Sequence, residues 1–190
     1  MFTAGLTGGL GSGKSFIGKA LAEHGCHFIE ADELGHEVLQ PGGAAYDAVL
    51  REFGTVDRKA LASQVFSHPD RLAVLNAIVH PAVEQHRQEL TAALPDGILV
   101  YAAAILIETG SYKNFDCLIL AYCPREQQIE RAMHRPGATL EDVLARLDRQ
   151  MPLEEKRKYA DYIIDSSGMK ESTLIQTTEV YDCLRQRSGN

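Results

Sequence analysis

The 190-residue chain reads as an α/β domain, three layers with a five-stranded parallel sheet at the centre. Three observations predict it. Short strand-like segments recur at Phe2 to Thr7, Cys26 to Glu30, Ile98 to Ala103, Cys117 to Tyr122 and Tyr162 to Ile164. Helical patterns separate them, and that alternation builds layered sheets. Ile98-Leu99-Val100-Tyr101 and Leu118-Ile119-Leu120 are continuous apolar runs, as expected of parallel strands buried on both faces.

The first strand leads into Gly8-Gly9-Leu10-Gly11-Ser12-Gly13-Lys14-Ser15, which fits G-x-x-x-x-G-K-[ST]. A helical pattern follows, with apolar residues at Phe16, Ile17, Ala20 and Leu21, closed by Gly25. Strand, glycine-rich turn and helix form the context in which this pattern is a phosphate-binding loop, a P-loop. The glycines let the backbone curl so that N–H groups converge on one concavity, and the helix adds its positive N-terminal end. Gly9, Gly11, Ser12, Gly13, Lys14 and Ser15 are therefore the expected nucleotide site. Lys14 reaches the β- and γ-phosphates and the Ser15 hydroxyl ligates Mg²⁺. The expectation is a nucleoside triphosphate ligand in a P-loop NTPase-like fold.

The second strand ends at Asp32. At the carboxyl edge of a parallel sheet, that side chain reads equally as a general base for an acceptor hydroxyl or as a helix cap. Glu30, on the strand itself, is the weaker candidate. From Asp32 to Leu94 only helical patterns occur, punctuated by Pro41-Gly42-Gly43, Phe53-Gly54, His68-Pro69 and His80-Pro81. This block, about 32–94, is expected to be a helical substrate subdomain inserted in a single domain of 1–190. Both His-Pro pairs read as helix starts, with proline in the first turn. His80 there either touches a substrate phosphate or packs. Glu108, after Ile105-Leu106-Ile107, either holds a Mg²⁺-bound water or is a surface carboxylate.

Beyond the fourth strand, Arg131, Arg135, Arg146 and Arg149 flank the Pro136-Gly137 turn. They read as a lid, about 131–150, that closes over a triphosphate, or as a solvated face partnered by Glu141, Asp142 and Asp148. Thr139 and Asp142 resemble a capping box that starts a helix. Asp165-Ser166-Ser167-Gly168 matches the D-x-x-G of GTPases, but it comes too late and no N-K-x-D accompanies it. The tail from Ser172 to Asn190 reads as a packing helix with Leu174, Ile175, Val180, Tyr181 and Leu184 at helical spacing.

The net charge of −7 argues against a general nucleic-acid binder, and 45% hydrophobic with 24% charged residues is ordinary for a globular chain. The apolar run from Ile98 to Ile107 is about half of what a membrane span needs. The chain enters its first strand at once, which leaves no room for a cleavable signal. Cys26, Cys117, Cys123 and Cys183 show no C-x-x-C spacing, and the first two read as buried thiols at strand starts. A cytoplasmic protein is expected, monomeric or a small homo-oligomer, without nucleic-acid or membrane partners.

Several blocks, in order from about Thr3 to Gly168, resemble the dephospho-CoA kinases: Leu6 to Ser15, Ala31-Asp32, Asn76-Ala77-Ile78-Val79-His80-Pro81, Leu106-Ile107-Glu108, Arg146 with Gln150-Met151-Pro152, and Ala160 to Asp165. The resemblance implies transfer of the γ-phosphoryl of ATP, with Mg²⁺, to the ribose 3′-hydroxyl of dephospho-CoA, giving CoA and ADP. It implies a nucleotide core, a helical CoA-binding insert and a lid. Asp32, second acid of the family's D-A-D, becomes the base, and Arg135 and Arg146 belong to the lid and its hinge. Asp32, His80 and Glu108 fall on the acceptor side. The chain departs from the family pattern at Phe16, where the family has Thr; the Phe16 N–H still meets the α-phosphate, but a hydroxyl contact is lost. Glu30 replaces the first Asp of D-A-D, Ala104 a Pro, and Ser166 the Asn of D-N-x-G. Val83-Glu84 stands where a basic residue often follows His-Pro, with Arg87 one turn on. A different small-metabolite or nucleoside monophosphate kinase, or a silent ATP-binding paralogue, are the alternatives.

Overall fold

The structure, a computed structural model, describes residues 1–66 and 68–189. Five strands, β1 (Phe2–Thr7), β2 (His27–Glu30), β3 (Ile98–Ala102), β4 (Cys117–Tyr122) and β5 (Tyr162–Asp165), form one sheet in the order β2-β3-β1-β4-β5. Every pairing is parallel, and Gly5 in the central strand pairs with Tyr101 on one side and Leu118 on the other. Around them lie α1 (Lys14–Glu23), α2 (Ala31–Glu37), α3 (Tyr46–Phe53), α4 (Arg58–Val65), α5 (Pro69–Ala93), α6 (Arg125–Met133), α7 (Leu140–Asp148), α8 (Leu153–Lys156) and α9 (Lys170–Ser188). The α/β class and the five parallel strands expected from the sequence are what the chain adopts.

Contacts divide the chain into two compact units, Met1–Glu30 with Asp96–Asn190, and Ala31–Pro95. In the first, alternate strand residues (Ala4, Leu6, Val100, Ala102, Ile119, Ala121, Ile164) pack against Ile17 and Leu21 of α1 and Val180 and Leu184 of α9. The intervening residues Leu99, Leu118 and Leu120 are buried as well. Both faces of the sheet are thus covered, which is why these strands are apolar without alternation. α9 buries Thr173, Thr177, Val180 and Leu184, whereas Ile175 is 61% exposed and Leu174 is also exposed. This corrects the expected face: the stripe at i, i+4, i+7 and i+11 begins with two threonines, and Thr177 satisfies its buried hydroxyl on the Thr173 carbonyl at 2.7 Å. Gln176 of α9 turns its side-chain amide to edge strand β5. There the Asp165 N–H donates to Gln176 Oε1 at 2.9 Å and Gln176 Nε2 donates to the Asp165 carbonyl at 3.0 Å.

The second unit is helical, with a core of Val38, Val49, Phe53, Leu61, Val65 and Ala82. Asp57 caps α4 by accepting the Ala60 N–H at 2.9 Å. His68-Pro69 opens α5 as expected, but His80-Pro81 does not start a helix: α5 runs unbroken through Pro81 for 25 residues. The proline lacks only the N–H owed to the Ala77 carbonyl, one bond of a long helix. Packing of Leu75, Ile78, Val79, Ala82 and Val83 on the unit's core holds the helix together across it.

Candidate active site

The glycine-rich turn spans the gap from β1 to α1. Gly13 is the N-cap of α1 with φ 85° and Gly11 has φ 75°, both in the region open to glycine. A Cβ on Gly11 would lie 2.4 Å from the Gln128 carbonyl oxygen, so the loop rests directly on the α6 backbone. The carbonyls of Leu10, Gly11 and Ser12 are held from behind. Gln128 Nε2 donates to Leu10 O at 2.8 Å, Arg131 Nη1 to Gly11 O at 3.5 Å, and Ser166 Oγ to Ser12 O at 2.8 Å. The Leu10 N–H donates to Gln150 Oε1 at 3.0 Å. Arg131 is itself fixed by bonds to Ser166 Oγ at 3.0 Å and Ser166 O at 2.6 Å. With the loop's carbonyls drawn outward, the N–H groups of Lys14, Ser15 and Phe16, in the first turn of α1, are left without intrahelical acceptors. This is the anion-binding arrangement of a helix N-terminus.

Lys14 and Glu30 are 7% and 8% exposed, and they meet: Lys14 Nζ lies 2.6 Å from Glu30 Oε1. The Ser15 hydroxyl donates to the same oxygen at 2.7 Å. Burial alone pushes the Glu30 carboxyl up, but the hydrogen bonds from Lys14 and Ser15, with the charges of Lys14 and Lys19, outweigh it and hold the group below the usual carboxylate range. Sequence reasoning ranked this glutamate low. Its signal was its position, a carboxylate at the carboxyl end of the strand after the P-loop helix.

Arg135 and Arg146 line one pocket of about 180 Å³ with Leu10, Pro136, Val143 and Asp142. Among the described residues neither guanidinium has a hydrogen bond or ion pair. Two of the three carboxylates expected as surface partners are engaged elsewhere, Asp148 with Arg125 at 2.7 Å and Asp142 with the Thr139 hydroxyl at 2.8 Å. Thr139 caps α7. Leu10 of the P-loop packs with Ala132, Val143 and Leu147, so the arginine-bearing hairpin and the P-loop share a small core.

Glu108 is an exposed carboxylate, as one of its expected roles has it, but it is engaged within the fold. Its carboxylate lies 2.9 Å from the Nζ of Lys156, which is 0% exposed, and accepts the Met151 N–H at 2.9 Å. The lysine also donates to the Ala104 carbonyl at 2.5 Å. A buried ammonium needs a counter-ion, and Glu108 is that counter-ion. Nothing in the sequence distinguishes Lys156 or Gln128 from surface residues of short amphipathic helices; only the fold reveals them.

Asp32 and His80 belong to the helical unit, both exposed, on the first turn of α2 and midway along α5. Asp32 accepts no hydrogen bond from its helix among the described residues, so it does not act as the cap. Arg87, the substitute considered for a missing basic residue, is paired with Glu84 at 2.5 Å.

A family model described as dephospho-CoA kinase matches residues 2–171. The chain belongs to the dephospho-CoA kinase family. The family's dephospho-CoA kinase from Aquifex aeolicus is 40% identical over 187 residues, covering 94% of this chain and 95% of that one. The one from Thermobifida fusca is 39% identical over 196 residues, covering 98% of each. A crystal structure of a Thermus thermophilus protein superposes with a TM-score of 0.85 at 32% identity over 96% of both chains. Glu30-Ala31-Asp32 carries one acid in each unit, Glu30 at the P-loop and Asp32 on α2.

Proposed function

We propose that this chain transfers the γ-phosphoryl group of ATP to the ribose 3′-hydroxyl of dephospho-CoA, giving CoA and ADP. Family membership over nearly the whole length, together with a P-loop whose carbonyls are held outward, carries the reading. The loop amides and the α1 N-terminus bind the phosphates, and Lys14 moves onto the β- and γ-phosphoryl oxygens. Arg135 and Arg146, unpartnered among the described residues, neutralise the charge that spreads over the transferring group. Asp32 orients the acceptor hydroxyl and takes its proton, and His80 contributes to the acceptor side. Glu108 stays with Lys156 and shapes the loop after β3. The hydroxyl of Ser15 is a hard oxygen donor that would suit Mg²⁺ beside the phosphates. When bound, that ion supplies charge neutralisation at the phosphates. We propose further that the chain works in the cytoplasm, as a monomer or small homo-oligomer.

The test is ADP release from MgATP with dephospho-CoA, AMP, CMP, shikimate and gluconate offered separately. A rate with dephospho-CoA alone, abolished in Lys14→Ala, is expected. In Asp32→Asn, nucleotide affinity stays near wild type while turnover falls about a hundredfold. ATP binding without transfer to any acceptor would establish the silent-paralogue alternative instead.

A further inference from the structure

Two donors that would serve a bound nucleotide, Lys14 Nζ and Ser15 Oγ, both converge on a single oxygen of Glu30, at 2.6 and 2.7 Å. We infer that Glu30 is an internal placeholder for the nucleotide's phosphates: it holds the P-loop lysine and hydroxyl until a triphosphate binds, and must then be displaced. The inference rests on the nucleotide-site reading above. It goes beyond that reading by assigning Glu30 a role in setting affinity.

The argument is electrostatic. A lysine ammonium only 7% exposed is costly without an anion beside it. Here the anion is covalently part of β2, so Lys14 is kept charged and extended toward the loop before any ligand arrives. Binding a triphosphate then exchanges one anionic partner for another. It also leaves the Glu30 carboxylate, now without Lys14, close to phosphate of like charge. Both effects weaken nucleotide binding relative to a site with a neutral residue at this position. Glu30 is thus a positioning residue that lowers affinity in return for a preformed site.

The experiment measures affinity, not turnover. Binding of ATP, of inorganic tripolyphosphate and of adenosine is titrated calorimetrically, with chelator present, for wild type, Glu30→Gln and Glu30→Asp. Glu30→Gln is close to isosteric, and its fold is checked by thermal melting. ATP and tripolyphosphate should bind Glu30→Gln at least about tenfold tighter, equivalent to about 1.4 kcal/mol, with adenosine unchanged. Glu30→Asp, which keeps the charge, should stay within about threefold of wild type. Equal or weaker tripolyphosphate binding in Glu30→Gln overturns the placeholder while the nucleotide site stands. Absence of ATP binding in wild type and in both variants overturns the two readings together. A gain that also appears for adenosine overturns the phosphate assignment.

Discussion

Alanine at Gly11 tests whether the P-loop is held by packing as well as by backbone conformation. Gly11 has φ 75°, and an added Cβ would lie 2.4 Å from the Gln128 carbonyl oxygen and 2.9 Å from the Gln128 Cα. Those are backbone atoms of α6 and cannot rotate aside. Gly110 provides the control, with φ 74° and no atom within 4 Å of its Cβ position. An L-residue in this conformation costs about 1–2 kcal/mol, and Gly110→Ala should show that penalty alone. Gly11→Ala adds an overpacking cost of about 1–3 kcal/mol. For a chain of this size, thermal midpoints should fall by about 4 °C for Gly110→Ala and about 10 °C for Gly11→Ala. Pushing the loop off α6 also disturbs the hydrogen bonds that draw its carbonyls outward, so ADP affinity should drop at least about tenfold in Gly11→Ala. It should be unchanged in Gly110→Ala. Differential scanning calorimetry and titration calorimetry on both variants read these quantities. Equal midpoint shifts, or wild-type ADP affinity in Gly11→Ala, would refute the packing argument.

Three further outcomes are expected. Lys156→Met leaves the Ala104 carbonyl without its donor and Glu108 without its counter-ion, and should cost about 2–3 kcal/mol in chemical denaturation. Burial lowers the Lys156 pKa below the ordinary 10.5 despite Glu108. The unfolded chain therefore holds this proton to higher pH than the folded one. Lys156 contributes stability above 10.5 that is lost as pH falls through its folded value, so the gap between wild type and Lys156→Met should widen as pH rises toward 10.5; a gap that narrows contradicts the assignment. Arg135→Ala and Arg146→Ala remove exposed, unpartnered side chains and should change stability by less than about 0.5 kcal/mol, yet lower kcat at least about tenfold. Wild-type kcat in both would remove them from the reaction. Burial pushes the Cys26 thiol up to about 11 and Cys117 up to about 12, and raises Cys123 as well. Cys183 alone is exposed, so a thiol reagent at pH 8 should label one site on the native chain by mass spectrometry.

The strands were legible because burial on both faces demands long apolar runs, and Phe2–Thr7 and Cys117–Tyr122 come out with their expected bounds. The P-loop was legible because its glycines and lysine are fixed in order along the chain. Helix faces were harder. Leu174 and Ile175 sit at helical spacing yet face solvent, because Thr173 and Thr177 satisfy their own hydroxyls and take the inner stripe. His80-Pro81 carries a start signal that tertiary packing along α5 overrides. Within the site, Lys14, Ser15, Arg135 and Arg146 could be named from the sequence. Glu30 was ranked low because the direction of a strand-end carboxylate depends on the pleat. Gln128, Arg131, Gln150 and Ser166, which hold the loop's carbonyls and amides, lie between 118 and 154 residues downstream of the residues they hold, and no local pattern reveals that role.

The bond pair between Gln176 and Asp165 has a consequence for self-association. A sheet's outermost strand presents unpaired donors and acceptors on which another chain's strand can template. Here an amide side chain copies the hydrogen bonding of one residue of a neighbouring strand and occupies those groups at Asp165. The strand it guards is only four residues long, as is β2 at the opposite border. The protein thus blunts that border with a single glutamine borrowed from its last helix. Gln176→Leu would reopen the border and should first be noticed as a lower ceiling on the concentration at which the purified protein stays clear.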